Sequence, residues 1–342
     1  MSTVKKSDDW ALVNGQQFLL ADNKSTTGER IVLFATNDSL KMLTEAKTWY
    51  CDGNFNLSPK YFLQLYVIRV QKNDSYITAV YCLLERKTMS IYEEMFKLIL
   101  NKCEEHELFP DPTHLNVDFE KALISAAQTI FDSNLTIRGC FYHLCQSSYR
   151  KVQDLGLIKM YKNNDEFSHF CGMLDGLAFL PLEHVFEGMA YLKTIVSPEG
   201  EDLLNYFDAT YVNGPLRKVG AGTKFKFKKI SPLFPPNTWN VHKTTMNGDH
   251  RTNNICESWN NRFSHLVGHS HPTIWTLIRK MRLEVAADKA KLAIDSMGEP
   301  VKKKKNSTHI RLVTLCQRIA NHSITIEEFL EKVGHNIRTR PR

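Results

Sequence analysis

Hydrophobic positions change their period several times along the chain, and each change marks a predicted element. Ile31-Val32-Leu33-Phe34-Ala35 is a short apolar run that predicts the first ordered strand. A short helix follows, with Ser39 placed to cap it ahead of Leu40, Met42 and Leu43. Thr48 to Leu57, Tyr61 to Val70 and Tyr76 to Leu84 form a strand-rich block, with Asn73-Asp74-Ser75 as the turn between the last two. Those last two runs are apolar on both faces, as strands in the middle of a sheet covered by helices on both sides must be. Ser90-Ile91-Tyr92-Glu93 reads as a capping box, and Tyr92, Met95, Phe96, Ile99 and Cys103 follow at helical spacing. Next come a strand ending at Asp118, a helix from Lys121 to Phe131, a strand from Thr136 to Tyr142, and a helix from Leu144 to Leu155 stopped by Gly156. The order β-β-β-α-β-α-β-α predicts a mixed α/β sheet flanked by helices.

Beyond Leu157 the period becomes helical throughout. Phe167, Phe170, Leu174 and Leu177 make one stripe; Val185, Met189, Leu192 and Ile195 make another. Lys224-Phe225-Lys226-Phe227-Lys228 alternates strictly, which predicts a half-buried strand with lysines on one face. Helices are predicted over about 254–267 and 273–294, then a basic linker at Lys302-Lys303-Lys304-Lys305 and a small helical piece ending near Val333. The expected organisation is a loosely ordered arm over 1–27, the first part of the sheet core over 28–156, and a mostly helical insertion over 157–250 with a basic strand at 223–230. Residues 251–296 would return to the core as its C-terminal helices, and 297–342 would form the basic linker and tail.

At 342 residues, with 42% hydrophobic and 24% charged residues, the chain suits a soluble globular protein. No apolar run approaches about 18 residues, and Met1 to Trp10 lacks the apolar segment of a signal peptide, so an intracellular protein without a membrane segment is expected. The eight cysteines include no Cys-x-x-Cys, which argues against a disulfide framework and against a structural zinc site. Cys82, Cys103, Cys171 and Cys316 sit in apolar patterns that predict buried thiols. The net charge is +7, and from Arg262 to Arg342 sixteen Lys/Arg stand against seven Asp/Glu. That concentration of positive charge points to an anionic partner, nucleic acid first.

Three acids stand in unusual settings. Asp52 and Asp118 sit where apolar strand-like runs stop, and Glu257 begins an amphipathic helix. Carboxylates led toward an interior must be paired, hydrogen-bonded or bound to a metal. If the two strands are neighbours, a cation between Asp52 and Asp118 would relieve their repulsion, and Mg2+ (or Mn2+) suits oxygen ligands. Glu257 would supply the third carboxylate of a two-metal site; the alternative is that each acid is a turn or capping residue. Glu120, two residues after Asp118, is read as a first-turn acid favoured by the helix dipole, with a spare metal ligand as the alternative. Trp259, Phe263 and Leu266 are read as the buried face of the Glu257 helix, with Asn254 and Asn261 flanking Glu257 at i−3 and i+4. Lys224, Lys226, Lys228 and Lys229 form a candidate phosphate-tracking stripe, or equally an edge strand protected by charge. Arg150 and Lys151 are similar candidates. His143 is a candidate proton carrier close to Cys140.

Taken in order, these segments resemble the transposase domain of Mutator-like elements. They are Asp52-Gly53-Asn54-Phe55, Asp118-Phe119-Glu120-Lys121-Ala122, Gly139-Cys140-Phe141-Tyr142-His143 with Gln146, Arg150, Lys151 and Val152, and Asn253-Asn254 before Glu257, Trp259 and Asn260. The resemblance runs over about 48–267. It implies a ribonuclease-H-like core with a helical insertion before the last catalytic helix. Asp52, Asp118 and Glu257 match the family's Asp-Asp-Glu triad, and Cys140 with His143 matches its Cys-x-x-His motif. Family members often have Thr in place of Asn54 and Trp-His-Asn in place of Trp259-Asn260-Asn261. No cysteine precedes Cys51, so the zinc-binding DNA module of many relatives is not expected. The implied activity is divalent-metal-dependent DNA cleavage and strand transfer on transposon ends and target duplex, in the nucleus, with a homodimer as a candidate assembly. The alternatives are a catalytically inactive, transposase-derived DNA-binding protein, and a nuclease of the same fold acting on hybrids or junctions.

Overall fold

The computed structural model describes residues 9–26, 28–131, 133–221, 224–248, 251, 254–297 and 307–337. Lys302 to Lys305 and Asn253, singled out in the sequence, lie outside the described residues. The chain divides into two compact units, Met1–Ile137 with Asn253–Lys302, and Arg138–Thr252 with Lys303–Arg342.

The first unit is built on a mixed seven-stranded sheet. Its strands are β1 (Leu19–Lys24), β2 (Arg30–Phe34), β3 (Thr48–Asn54), β4 (Gln64–Lys72), β5 (Ser75–Leu84), β6 (His114–Val117) and β7 (Thr136–Gly139), along which the chain leaves the unit. The spatial order is β1-β2-β5-β4-β3-β6-β7. From β1 to β3 all neighbours are antiparallel, whereas β3 and β6 run parallel. Helices α1 (Asn37–Glu45), α2 (Met89–Glu104), α3 (Lys121–Ile130), α4 (Asn254–Val267) and α5 (Ile274–Ser296) complete the unit. Neighbouring residues of a strand face opposite ways, so β4 serves two cores. Val67 and Leu65 join Tyr81, Leu83, Trp259, Phe263 and Met281 beneath α4 and α5. Tyr66 meets Tyr92 of α2 at 5.6 Å between ring centroids, while Phe131 just beyond α3 packs edge-on against both Phe96 and Trp49.

Local chemistry shifts several predicted boundaries. Thr36, not Ser39, caps α1; Ser39 is the third helical residue and completes a reciprocal capping box. Thr88, not Ser90, caps α2 by accepting from the Ile91 N–H. The strand expected to reach Tyr142 stops at Gly139, and a helix begins at Phe141. The larger difference is at the N-terminus. The expected loose arm is instead ordered from Asp9, with Phe18 and Leu19 buried and β1 paired along β2. A register shift between Leu19 and Ala21 breaks the inside–outside alternation there, so no strand period shows in the sequence.

Helix α4 is held over the sheet by buried polar contacts as well as by packing. Glu284 of α5 is 0% exposed and accepts from the Trp259 indole N–H at 2.9 Å and from Arg262 through both terminal nitrogens. Burial pushes the Glu284 carboxyl upward, but Arg262, Lys291 and Trp259 together hold it below the usual range. Arg69 donates to the Ile255 carbonyl at 2.8 Å and lies 5.8 Å from the Trp259 ring. One turn along α5, Asp288 accepts from the Thr78 backbone N–H at 3.0 Å, where the β4–β5 register shifts by one residue.

The second unit is mainly helical. Its longer helices span Phe141–Asp154, Asp165–Gly176, Val185–Ile195, Ser307–Ala320 and Ile326–Ile337. The last crosses Asp165–Gly176 at two glycines, where a Cβ on Gly172 would come within 2.7 Å of the Gly334 carbonyl. The basic strand Lys224–Lys229 pairs antiparallel with Leu216–Ala221 in a two-stranded hairpin. It is not half-buried as its alternation predicts, because Phe227 and Leu216 on its apolar face are 65% and 68% exposed. All eight cysteines are free, with Cys82, Cys103, Cys171 and Cys316 buried as the sequence predicts. Among the described residues no helix is long and apolar enough to cross a membrane.

Two stability predictions follow from these charges. Glu284→Gln takes the anion from Arg262 and is expected to cost about 1.5–3 kcal/mol in urea denaturation, the scale of a hydrogen bond to a charged group, because Arg262 itself is 45% exposed and can turn to water. In the second unit, burial raises the Asp175 carboxyl to about 6, although hydrogen bonds with Ser148 and Cys145 act downward. A folded pKa above the unfolded value means stability present at low pH and lost as pH rises through the folded pKa. Asp175→Asn is therefore expected to flatten the decline in stability between about pH 4 and pH 6, read as melting temperature against pH.

Candidate functional site

Asp52 and Asp118 are brought together by the parallel pairing of β3 with β6. Thr48, Trp49 and Tyr50 of β3 face His114, Leu115 and Asn116 of β6. Continuing that register by two residues sets Asp52 level with Asp118, just past the end of β6. Both then line one pocket with Gly53, Phe55, Gln64, Tyr66 and Glu120. Strand β6 ends at Val117, so Asp118 lies just past its neighbour's pairing, while Asp52 stays paired with Val67 of β4 and faces the space that the end of β6 leaves.

Asp52 is only 7% exposed, and its carboxylate accepts from Asn260 Nδ2 at 2.5 Å. The Asn260 carbonyl in turn accepts from Asn54 Nδ2 at 3.0 Å, and Asn54 Oδ1 receives the Leu57 N–H at 3.0 Å. This relay fixes the orientation of both amides, because each uses its oxygen as acceptor and its nitrogen as donor. In the sequence Asn260 stands only as part of the family-like segment after Glu257, with no role of its own. Asn254 and Asn261, expected to orient Glu257, are both exposed. The signal was present in the sequence: Asn260 lies at i+3 from Glu257 and beside the buried Trp259.

Glu120 also departs from its sequence reading. It occupies the N-cap position of α3 without a capping hydrogen bond, and accepts instead from the Tyr92 hydroxyl at 3.0 Å. Tyr92 receives Gln64 Nε2 at 2.7 Å. Burial raises the Glu120 carboxyl, while Tyr92 and Lys87 act in the opposite direction. A Cβ on Gly53 would collide with the Gln64 side-chain oxygen, so glycine lets Gln64 reach Tyr92. Burial above all keeps the Cys256 and Tyr66 protons in place, reinforced by Asp52 at Cys256 and by Cys51, Tyr92 and then the acids at Tyr66, so neutral groups surround the carboxylates.

Glu257 lies in the first turn of α4, half-buried, and is not among the residues lining the Asp52–Asp118 pocket. Its helix is tied to β3 through Asn260 and through Cys256, whose thiol approaches the Tyr50 carbonyl at 3.6 Å. The other predicted residues belong to the second unit. Cys140 is buried at the N-cap of the Phe141–Asp154 helix, and His143 is that helix's third residue, half-buried. Arg150 is exposed, and Lys151 lies 5.2 Å from the Tyr206 ring centroid. Lys224 opens the basic strand; Lys226 and Lys228 are exposed, and Lys229 donates to Asn213 at 2.9 Å.

The family model of the MULE transposase domain matches residues 48–147, from the first residue of β3 through Asp118 to His143 and beyond. This stretch is a MULE transposase domain. A search of curated proteins found no match to the chain. Both pocket aspartates fall within the MULE transposase domain, whereas α4 and Glu257 lie beyond the matched residues.

Asn260→Ala is expected to destabilise the protein by about 1.5–3 kcal/mol, the scale of a hydrogen bond to an ionised acceptor. Asn261→Ala, at an exposed position, should stay within about 0.5 kcal/mol. Chemical denaturation of the two variants separates them.

Proposed function

We propose that this chain is a Mutator-like transposase, or a domesticated derivative, that cleaves and joins DNA strands at a divalent-metal site on a ribonuclease-H-like core. The observation that carries this reading is the placement of Asp52 and Asp118. They sit level on parallel neighbours and open on one pocket within the MULE transposase domain. The antiparallel run β3–β4–β5, with β6 added parallel beside β3, is consistent with the core that the resemblance implies.

The donor set suits a hard cation: Asp52, Asp118 and Glu120 supply only carboxylate oxygens to the pocket. Asp52 and Asp118 would hold Mg2+ or Mn2+, with Glu257 the third acid by resemblance. When bound, such an ion activates an oxygen nucleophile and neutralises charge on the transferred phosphate. Asn260 keeps one Asp52 oxygen in a fixed direction, so the carboxylate need not reorganise when substrate arrives. Tyr92 does the same for Glu120. His143 would carry a proton, with Cys140 supporting it, again by resemblance. Lys224, Lys226, Lys228, Lys229, Arg150 and Lys151 would follow the phosphates of double-stranded DNA.

The test is nicking of supercoiled and linear DNA in Mg2+ or Mn2+. Wild-type protein is expected to nick only with divalent metal, and Asp52→Ala to abolish nicking while still binding DNA. Undiminished nicking by Asp52→Ala would sink the mechanism. Binding without cleavage in either metal would favour the inactive DNA-binding derivative instead.

A further inference from the structure

The loop after β3, residues 55–63, has a core of its own and leaves three apolar side chains outside it. Leu57, Ser58, Pro59 and Phe62 are buried, whereas Phe55, Tyr61 and Leu63 are 43%, 61% and 39% exposed. The backbone is tied down along its length. The Ser58 N–H and hydroxyl donate to the Phe55 carbonyl at 3.2 and 2.6 Å, and the Phe62 N–H donates to Pro59 at 3.0 Å. His271 and Leu84 fasten it from outside, the His271 N–H donating to Asn56 at 2.7 Å and the Leu63 N–H donating to Leu84 at 2.8 Å. The loop's folding needs are met by its buried residues, which leaves both rings open to a ligand.

Each exposed ring has a lysine over it. Lys87 Nζ lies 5.3 Å from the Phe55 centroid, and Lys60 Nζ lies 5.1 Å from the Tyr61 centroid. Tyr61 has φ of +79°, a conformation that costs an aromatic residue on the order of 1–3 kcal/mol and persists only where surroundings enforce it. Phe55 also lines the pocket that holds Asp52, Asp118 and Glu120. At Phe55 a flat apolar face and a cation therefore meet at the edge of the candidate reacting centre.

We infer that Phe55 and Tyr61 form a stacking platform for an unpaired nucleobase of the DNA strand whose phosphate enters the carboxylate pocket. The inference rests on the DNA-cleaving reading above and adds the state of the substrate beside the cut. An aromatic face accepts any base, and flanking ammonium groups meet the phosphates on either side of it. Lys60 and Lys87 also offset the repulsion between a polyanion and the pocket's acids. A protein partner burying the same rings would have to desolvate both lysines, whereas a nucleotide uses them.

The test compares two oligonucleotides of one sequence, a full duplex and a duplex with one unpaired 2-aminopurine, bound to the full chain in EDTA. Wild-type protein is expected to quench the 2-aminopurine and to prefer the unpaired substrate. Tyr61→Ala and Phe55→Ala should each weaken that binding about 5- to 100-fold, matching the usual contribution of one stacked base, and shift duplex binding less than about two-fold. Tyr61→Trp should restore the preference. Equal losses on both substrates, no loss, or a Tyr61→Ala effect confined to self-association in sedimentation would overturn the platform. Metal-dependent nicking by wild-type protein, measured in parallel, separates the two readings. Nicking without a ring-dependent preference removes only the platform. Ring-dependent quenching without nicking removes only the cleavage reading, and binding to neither DNA removes both.

Discussion

The angle at which α4 is rolled about its own axis governs whether Asp52 has a partner, and one buried carboxylate sets that angle. Glu284 cannot reach water, and an unpaired charge in that position would cost several kcal/mol. It is satisfied only when Trp259 and Arg262 both turn toward α5. With those two positions fixed, the next residue round the helix, Asn260, is directed at β3, and its amide reaches Asp52. Glu257, one turn earlier, shares that side of the helix. The charge least accessible to substrate thus decides the orientation of those most accessible to it.

Around the carboxylates the surroundings are polar but uncharged. Cys51, Cys256, Tyr66 and Tyr92 all have burial as the largest influence on their protons, and the nearby acids reinforce it. These groups stay neutral through the physiological range, so the negative field at the sheet end comes from the acids themselves. A low-dielectric wall of this kind strengthens their attraction for a cation. Lys87 and Lys60 stand outside that wall, over rings, where they remain available to a second anion.

Much of this arrangement can be read from the sequence, and what cannot be read has identifiable causes. Apolar runs ending in Asp52 and Asp118 predict two strands delivering acids to a sheet end, because continuous apolar strands leave few places for a charge. The stripe Trp259, Phe263 and Leu266 likewise predicts the buried face of α4. Asn260 is easily passed over because its partner lies more than two hundred residues away, and only its place at i+3 from Glu257 marks it. Glu120 is misread for a related reason. Its spacing fits a helix start, but a tyrosine on a different helix claims its oxygen. The basic strand shows the limit of period alone: alternation fixes which residues share a face, and whether that face is covered depends on what else folds nearby.

The glycine crossing between Asp165–Gly176 and Ile326–Ile337, together with the return of α4 and α5 to the sheet, bears on how the chain emerges from a ribosome. Neither unit is contiguous, and each waits for a later segment. The nascent sheet has one apolar face uncovered until residues 254–297 are made. The helical unit in turn lacks its closing helix until residues 326–337 are made. Partly made chains of this design expose strand surface for the time needed to translate the whole intervening insertion, an interval in which aggregation competes with folding. Slow decoding of the insertion would therefore burden the sheet, although none of its own codons had changed.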